Sequence, residues 1–170
     1  MIQEKTKRWT ALGMLAIFAI LSLCCSGCGS SVAPIVGALA PDVTLPTLDG
    51  GTVKLDELKG KPVLLTFWTT KCGWCRYQMP YLQAAFEEKG QEVKFIAINI
   101  GESSDAVQQF AEDEGLGFTV ALDRYGAVAR AYNISGIPIN FLIDDQGVIK
   151  YIRKGAFTNT DELLTMLDDL

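Results

Sequence analysis

Residues 66–82 have the sequence TFWTTKCGWCRYQMPYL, in which Cys72 and Cys75 stand two residues apart. The β-prone run PVLLTFW, residues 62–68, leads into the pair, and a helix-like run follows it. A continuous run of this kind is typical of a strand that is buried on both faces. Two cysteines at such a strand–helix junction allow three interpretations: a redox pair, half of a metal site, or a structural disulfide.

The amino-acid composition helps to choose among these three interpretations. The chain has 170 residues, which suits one domain plus a leader, and it contains no histidine. A structural zinc site needs about four ligands, and beyond the leader the chain offers only two cysteines and no imidazole. A static disulfide across so short a loop gains little loop-closure entropy. The composition therefore favours a redox pair.

The charge distribution excludes two classes of partner. The net charge is −5, and beyond the first ten residues the chain carries 12 basic and 19 acidic side chains. An acidic body without a basic cluster argues against binding nucleic acid and against binding an anionic membrane surface.

Residues 1–28 resemble an export leader. Lys5, Lys7 and Arg8 precede an uncharged, mostly apolar run over residues 9–25, and small residues surround Cys28. The stretch CCSGC is similar to a bacterial lipobox, which makes Cys28 the expected lipidation site. An uncleaved helical anchor and free secretion are the alternatives. We predict a leader over 1–28, a linker over 29–41 and one domain over 42–170, outside the cytoplasm, where disulfides persist.

The body alternates strand and helix signals. TLDGGTVKL predicts a β-hairpin turning at residues 49–51, and three buried strands alternate with helices up to about residue 132. One of these helices is expected over Asp123–Tyr132, with Asp123 as its cap. Two strands around residues 144–147 and an amphipathic helix from Thr160 end the chain. The pattern predicts an α/β fold with a central mixed sheet and helices on both faces.

The motifs together resemble the thioredoxin superfamily. FWTTKCGWC is followed by Pro80, by GIPINFLID over residues 136–144 and by DQGVI over 145–149. The lead-in APDVTLPTLDGGTVKLDELKGKPVLLTFW, residues 40–68, is similar to the membrane-tethered TlpA/ResA/DsbE-like branch. The resemblance implies a three-layer α/β/α sandwich with an N-terminal β-hairpin and an extra inserted βα unit. It also implies a redox-active Cys72–Cys75 disulfide and no further cofactor or metal.

Physical chemistry agrees with the catalytic roles that the resemblance implies. Cys72 would begin a helix, where free backbone N–H groups and the helix dipole stabilise a thiolate, and Lys71 adds a positive charge. Both effects lower the thiol pKa and make Cys72 the attacking sulfur. Cys75 lies one helical turn later and would resolve the mixed disulfide.

The resemblance also assigns residues that contact the substrate. In this superfamily the proline matching Pro138 is cis, faces the cysteine pair and presents the backbone of the preceding residue, here Ile137, to the substrate chain. We add Gly73 and Trp74, between the cysteines, to the expected substrate-binding set; Trp74 is a hypothesis that rests on its large aromatic side chain at the rim.

Four positions depart from the family pattern. Lys71 replaces a tryptophan found in many members, and Trp74 replaces the proline of thioredoxins. Thr66 replaces a buried aspartate of thioredoxins, and Gln78 replaces a glutamate of ResA-like proteins. Neither Thr66 nor Gln78 can ionise, so proton transfer at Cys75 is expected to differ from that in the family.

The sequence thus predicts an extracytoplasmic thiol–disulfide oxidoreductase that reduces disulfides of exported proteins. A membrane thiol donor would re-reduce it, and cytochrome c maturation is one role that the resemblance suggests. The sibling alternative is a dithiol oxidase or isomerase. A peroxiredoxin-like peroxidase is a weaker alternative because its Pro-x-x-x-Thr-x-x-Cys setting is missing. A non-catalytic module or copper chaperone is also weaker, since that chaperone uses Cys-x-x-x-Cys and a distant histidine.

Overall fold

A computed structural model describes residues 34–170, and seven strands lie within them. A short hairpin precedes a five-stranded sheet. The strands are β1 (Thr44–Pro46), β2 (Thr52–Lys54), β3 (Val63–Trp68), β4 (Lys94–Ile100), β5 (Thr119–Asp123), β6 (Ile139–Ile143) and β7 (Ile149–Lys154).

Four α-helices connect or follow these strands, and a 3-10 turn at Leu55–Leu58 joins β2 to β3. The helices are α1 (Gly73–Lys89), α2 (Ser104–Asp113), α3 (Ala127–Ala131) and α4 (Thr160–Leu167). Helix α1 connects β3 to β4 and helix α2 connects β4 to β5, which is the connection that parallel strands require.

The main sheet has the strand order β5–β4–β3–β6–β7. β3, β4 and β5 are parallel, whereas β6 and β7 add in antiparallel orientation. Every residue of β3 is buried, because the strand is central and both of its faces are covered. The register pairs Thr66 with Asn140 and Trp68 with Asn99, which places polar side chains near the carboxyl end of β3.

Two hydrophobic clusters cover the two faces of this sheet. Helices α1, α2 and α4 supply one cluster, which includes Leu64, Met79, Leu82, Val107 and Leu163. Helix α3 and the hairpin supply the other, which includes Leu45, Val53, Phe67, Val128 and Phe141. The structure confirms the predicted three-layer α/β/α arrangement, its mixed sheet and its N-terminal hairpin.

The predicted start of the third helix was wrong. Asp123 ends β5, and the helix begins only at Ala127, because Gly126 adopts a left-handed conformation with φ of 65°. The Asp123 carboxylate nevertheless accepts a hydrogen bond from the backbone N–H of Ala129, at 2.7 Å. Asp123 therefore caps α3 from across the turn.

Part of the predicted linker contacts the sheet. The backbone of residues 37–40 hydrogen-bonds to that of residues 147–149, beside β7. The predicted leader, its positive residues and Cys28 lie outside the described residues. Within residues 34–170, no helix combines the length and apolar character needed to cross a bilayer.

Candidate active site

Cys72 occupies the N-cap of α1. β3 ends at Trp68, a three-residue loop follows, and Cys72 has extended backbone angles of φ −84° and ψ 110° immediately before the helix. Its Sγ accepts a hydrogen bond from the backbone N–H of Cys75 at 3.1 Å. The sulfur thus takes the place of the side-chain oxygen that usually caps a helix, where N–H groups and the helix dipole favour negative charge.

A disulfide joins Cys72 to Cys75, whose Cα atoms are 5.2 Å apart. The two sulfurs differ in access: Cys75 is completely buried, whereas Cys72 is partly exposed. Because exchange requires one sulfur to approach another, a partner protein can reach Cys72 but not Cys75 without rearrangement.

The loop before β6 faces Cys72. The Ile137–Pro138 peptide bond is cis, and the carbonyl oxygen of Ile137 lies 3.8 Å from Cys72 Sγ. Pro138 is buried and Ile137 is partly exposed. The fold therefore brings Ile137 and Pro138, 65 residues along the chain, to the exposed sulfur.

The other predicted substrate-contacting residues, Gly73 and Trp74, form an exposed rim with Lys71, which was predicted to lower the pKa of Cys72. Lys71 and Gly73 flank Cys72 on the surface, and Trp74 is 66% exposed. The Trp74 ring packs edge-to-face on Tyr77, with centroids 5.6 Å apart. A large aromatic side chain thus stands in the open between the cysteines.

A buried, uncharged hydrogen-bond network lies one turn beyond Cys75. Gln78 is completely buried, and its Nε2 donates to Thr66 Oγ1 at 2.8 Å and to Asn140 Oδ1 at 3.4 Å. Its Oε1 accepts from Asn140 Nδ2 and from the backbone N–H of Phe157, each at 3.3 Å. The family pattern has carboxylates at these two positions. Here the neutral side chains of Thr66 and Gln78 are hydrogen-bonded to each other.

Sequence reasoning missed Glu102, which fixes the loop before Cys72. Its carboxylate accepts hydrogen bonds from the Thr70 backbone N–H, from Thr70 Oγ1 and from Asn99 Nδ2, each at 2.7 Å. Partial burial raises the pKa of Glu102, but these hydrogen bonds and the nearby Lys71 charge together lower it below its ordinary value. Glu102 follows β4, the parallel neighbour of β3. Carboxyl ends of parallel strands meet at one sheet edge, so this position could have been noticed.

No grouping of three or more histidine, cysteine, aspartate or glutamate side chains suited to a metal ion occurs among residues 34–170. The site presents two sulfurs joined in a disulfide, which can exchange with other thiols and disulfides. A cysteine pair at the start of a helix, beside a cis-proline loop on a mixed sheet, defines a thioredoxin-like redox protein.

Comparisons with known proteins place the chain more closely. It belongs to the Redoxin family, whose model matches residues 35–167. It is 41% identical over 127 residues to the thiol-disulfide oxidoreductase ResA of Geobacillus kaustophilus, covering 74% of this chain and 73% of that protein. Identity to ResA of Bacillus subtilis is 37% over 125 residues, covering 73% and 70% of the two chains.

Comparison with solved structures indicates the same class of protein. The thioredoxin domain of a thiol-disulfide oxidoreductase from Bacteroides vulgatus superposes with a TM-score of 0.71 at 26% identity, covering 81% of this chain and 98% of that one. A secreted Mycobacterium tuberculosis disulfide oxidoreductase homologous to Escherichia coli DsbE gives 0.69 at 28% identity, covering 75% and 96%. The chain is a thiol–disulfide oxidoreductase of thioredoxin fold.

Proposed function

We propose that this enzyme reduces disulfides of exported partner proteins through Cys72 and Cys75. One observation carries the proposal: a partly exposed sulfur caps a helix, accepts the Cys75 N–H at 3.1 Å, and is joined to a buried second sulfur. The resemblance to TlpA/ResA-like proteins and the residue Ile137 before the cis-proline support the reducing direction.

The reaction needs only the two thiols. The Cys72 thiolate attacks one sulfur of the partner's disulfide, forms a mixed disulfide and releases the other partner sulfur as a thiolate. The Cys75 thiolate then attacks the Cys72 sulfur, closes the internal disulfide and releases the second partner sulfur. Two electrons pass to the partner, and the two protons of the dithiol end on its thiols. The pair itself carries the electrons, so no further cofactor is proposed.

Lys71 and the amino end of α1 favour the thiolate of Cys72 in the reduced enzyme. No titratable side chain belongs to the Thr66–Gln78–Asn140 network, so the Cys75 proton must leave by another route. We propose solvent at the opened mixed disulfide as that route.

The rim residues bind the partner chain in this proposal. The Ile137 backbone contacts the segment that passes over the sulfur; its position beside the cis peptide bond, 3.8 Å from Cys72 Sγ, supports this role. Pro138 fixes the conformation of that backbone. Gly73 has no side chain to obstruct the partner segment, and the Trp74 ring packs against it.

The proposed setting is outside the bacterial cytoplasm. Residues 1–28 would export the domain and tether it to the membrane, through a lipid on Cys28 or through an uncleaved helix. A membrane thiol donor would then reduce the Cys72–Cys75 disulfide after each cycle. An apocytochrome c is a candidate partner by analogy with the TlpA/ResA-like branch. Nucleic acid is not a proposed partner, since the body is acidic.

The direction of electron flow is tested by the reduction potential of the Cys72–Cys75 pair, equilibrated against glutathione. A reductant is expected near the value of thioredoxin, about −270 mV. A value near that of a strong oxidant, about −120 mV, would replace the reductase by a dithiol oxidase.

The roles of the two cysteines are tested by trapping. A Cys75→Ser variant should accumulate mixed disulfides through Cys72, because the resolving thiol is absent. Cys72→Ser is the matched control and should form none. Equal trapping by both variants, or by neither, would contradict the assignment of roles.

A further inference from the structure

Helix α1 carries three aromatic side chains on its outer face, beginning between the two cysteines. We call Trp74, Tyr77 and Tyr81 the aromatic stripe. Trp74 is 66% exposed, Tyr77 is 46% exposed, and Tyr81 is partly exposed. Spacings of three and four residues place them on one side of a helix. Exposed aromatic side chains in one contiguous row indicate an interaction surface.

The stripe is ordered by its own contacts. Trp74 packs on Tyr77 and Tyr77 on Tyr81, each with centroids 5.6 Å apart and rings at 81° and 67°. The Tyr81 hydroxyl donates to that of Tyr77 at 3.4 Å. Because the rings already support each other, a partner that covers them gives up little side-chain freedom on binding.

The surface of the stripe carries no charge of its own. The exposed Pro80 and Ala84 continue the same side of the helix. The nearest basic residue of α1, Arg76, is directed elsewhere: its guanidinium lies 5.5 Å from the Phe110 ring and 3.7 Å from a carboxylate oxygen of Glu114. Lys71, beside Cys72, is the exposed charge at the other end, so a charged partner side chain over Tyr77 and Tyr81 would lose water without gaining an opposite charge there.

The stripe continues the contact that disulfide exchange requires. A partner sulfur must touch Cys72 Sγ, and the exposed Trp74 lies only two residues further along the chain, so the partner chain passes near it. From Trp74 to Tyr81 the helix rises about 10 Å, at about 1.5 Å per residue. This length matches a few residues of a polypeptide in extended conformation.

We propose that the aromatic stripe binds an uncharged, apolar segment of the partner protein next to the half-cystine that Cys72 attacks. The inference rests on the proposed function and adds a substrate preference to it. Partner side chains pack on the rings, the Tyr77 hydroxyl can donate to a backbone carbonyl of the partner, and the Tyr81 oxygen can accept from a partner N–H.

The test uses the full chain, reduced beforehand, and two synthetic peptides. Each peptide holds one cysteine as a mixed disulfide with thionitrobenzoate, flanked by leucine and valine in one and by glutamate and lysine in the other. The wild type is expected to reduce the apolar peptide about fivefold faster, and Tyr77→Ser to lower that preference about threefold or more. Tyr125→Ser, at an 83% exposed tyrosine after β5, is the matched control and should keep the preference.

A disulfide without a polypeptide separates this inference from the proposed function. With 2-hydroxyethyl disulfide, Tyr77→Ser and wild type should react at equal rates, which also shows that the variant is folded. If the wild type reduces neither the peptides nor this small disulfide, the proposed function itself fails.

Four results would overturn the inference while leaving the proposed function in place. The first is equal rates of the wild type for both peptides, and the second is a Tyr77→Ser variant that keeps the full preference. The third is a wild-type dimer in sedimentation that Tyr77→Ser dissociates, which would make the stripe an interface between two copies. The fourth is weaker binding of Tyr77→Ser to phosphatidylglycerol vesicles, which would assign the stripe to lipid.

Discussion

Gln78 is buried one helical turn beyond the redox pair with both ends of its amide hydrogen-bonded. Its partners come from three other parts of the fold: Thr66 on β3, Asn140 on β6 and the Phe157 backbone before α4. Asn140 also donates to the Gly155 carbonyl at 3.1 Å. A single neutral side chain thus joins α1 to the sheet beneath the cysteines, a role that requires geometry rather than charge.

Replacing Gln78 should therefore cost stability. Gln78→Ala leaves the Phe157 N–H and part of the Asn140 amide buried without partners, and we expect a loss of about 2 kcal/mol in the free energy of unfolding. Urea unfolding of the oxidised protein measures it. Gln91→Ala, at an exposed glutamine, should change stability by no more than about 0.5 kcal/mol. An equally small change at Gln78 would show that the network contributes little.

At the scale of elements, the loop from β3 to α1 is held by the loop after β4. The Glu102 carboxylate accepts hydrogen bonds from the backbone N–H and the hydroxyl of Thr70, two residues before Cys72. The position of Cys72 at the amino end of α1 therefore depends on a contact from another element, in addition to the helix itself.

Two substitutions separate this contact from the charge of Glu102. Glu102→Gln removes the charge but can keep three hydrogen bonds, since the Thr70 hydroxyl can accept as well as donate. Glu102→Ala removes both the charge and the hydrogen bonds. We expect iodoacetamide to alkylate reduced Cys72 about threefold more slowly at pH 7 in Glu102→Ala than in Glu102→Gln, because the sulfur leaves the N-cap. Equal rates would show that the contact does not position Cys72.

The lowered pKa of Glu102 also predicts a pH dependence. Its carboxylate stabilises the fold above its ordinary value of 4.5, and this contribution is lost as the pH falls through the lower pKa of the folded state. Between pH 7 and pH 3 the wild type should lose more stability than Glu102→Gln, measured by urea unfolding. Identical losses would contradict the direction of the shift.

The elements differ in how well the sequence predicts them. β3 and the hairpin follow from local signals, a buried run and a glycine turn, and both were predicted correctly. The start of α3 was wrong because Asp123 can cap a helix either directly or from across a turn, and local sequence does not distinguish the two. Asn140 and Glu102 were missed as site residues, since strand pairing and strand order bring them to Thr66 and Thr70. Such contacts have no local sequence signal, and only the expected meeting of parallel strand ends could have indicated Glu102.

At the scale of the whole molecule, the reduction potential and the stability of the fold are linked. An enzyme that donates electrons holds its disulfide in the more stable folded form, whereas a strong oxidant owes its potential to a stabilised dithiol form. Cys75 is completely buried in the cluster that α1, α2 and α4 supply, so the bonding of its sulfur affects the packing of that core.

This linkage predicts an order of stabilities. If the enzyme is a reductant, the oxidised protein should unfold at a higher urea concentration than the reduced protein. Parallel unfolding curves, with and without reductant in the buffer, give the comparison. A more stable reduced protein would indicate that the enzyme oxidises thiols instead.

The central claim, that the amino end of α1 keeps Cys72 ionised and reactive, is tested most directly by titrating the reduced enzyme. The rate of iodoacetamide alkylation at Cys72, followed by mass spectrometry across the pH range, reports its thiolate. We predict a midpoint at about pH 7 or below. A midpoint near that of a free thiol, about 8.5, would contradict the claim.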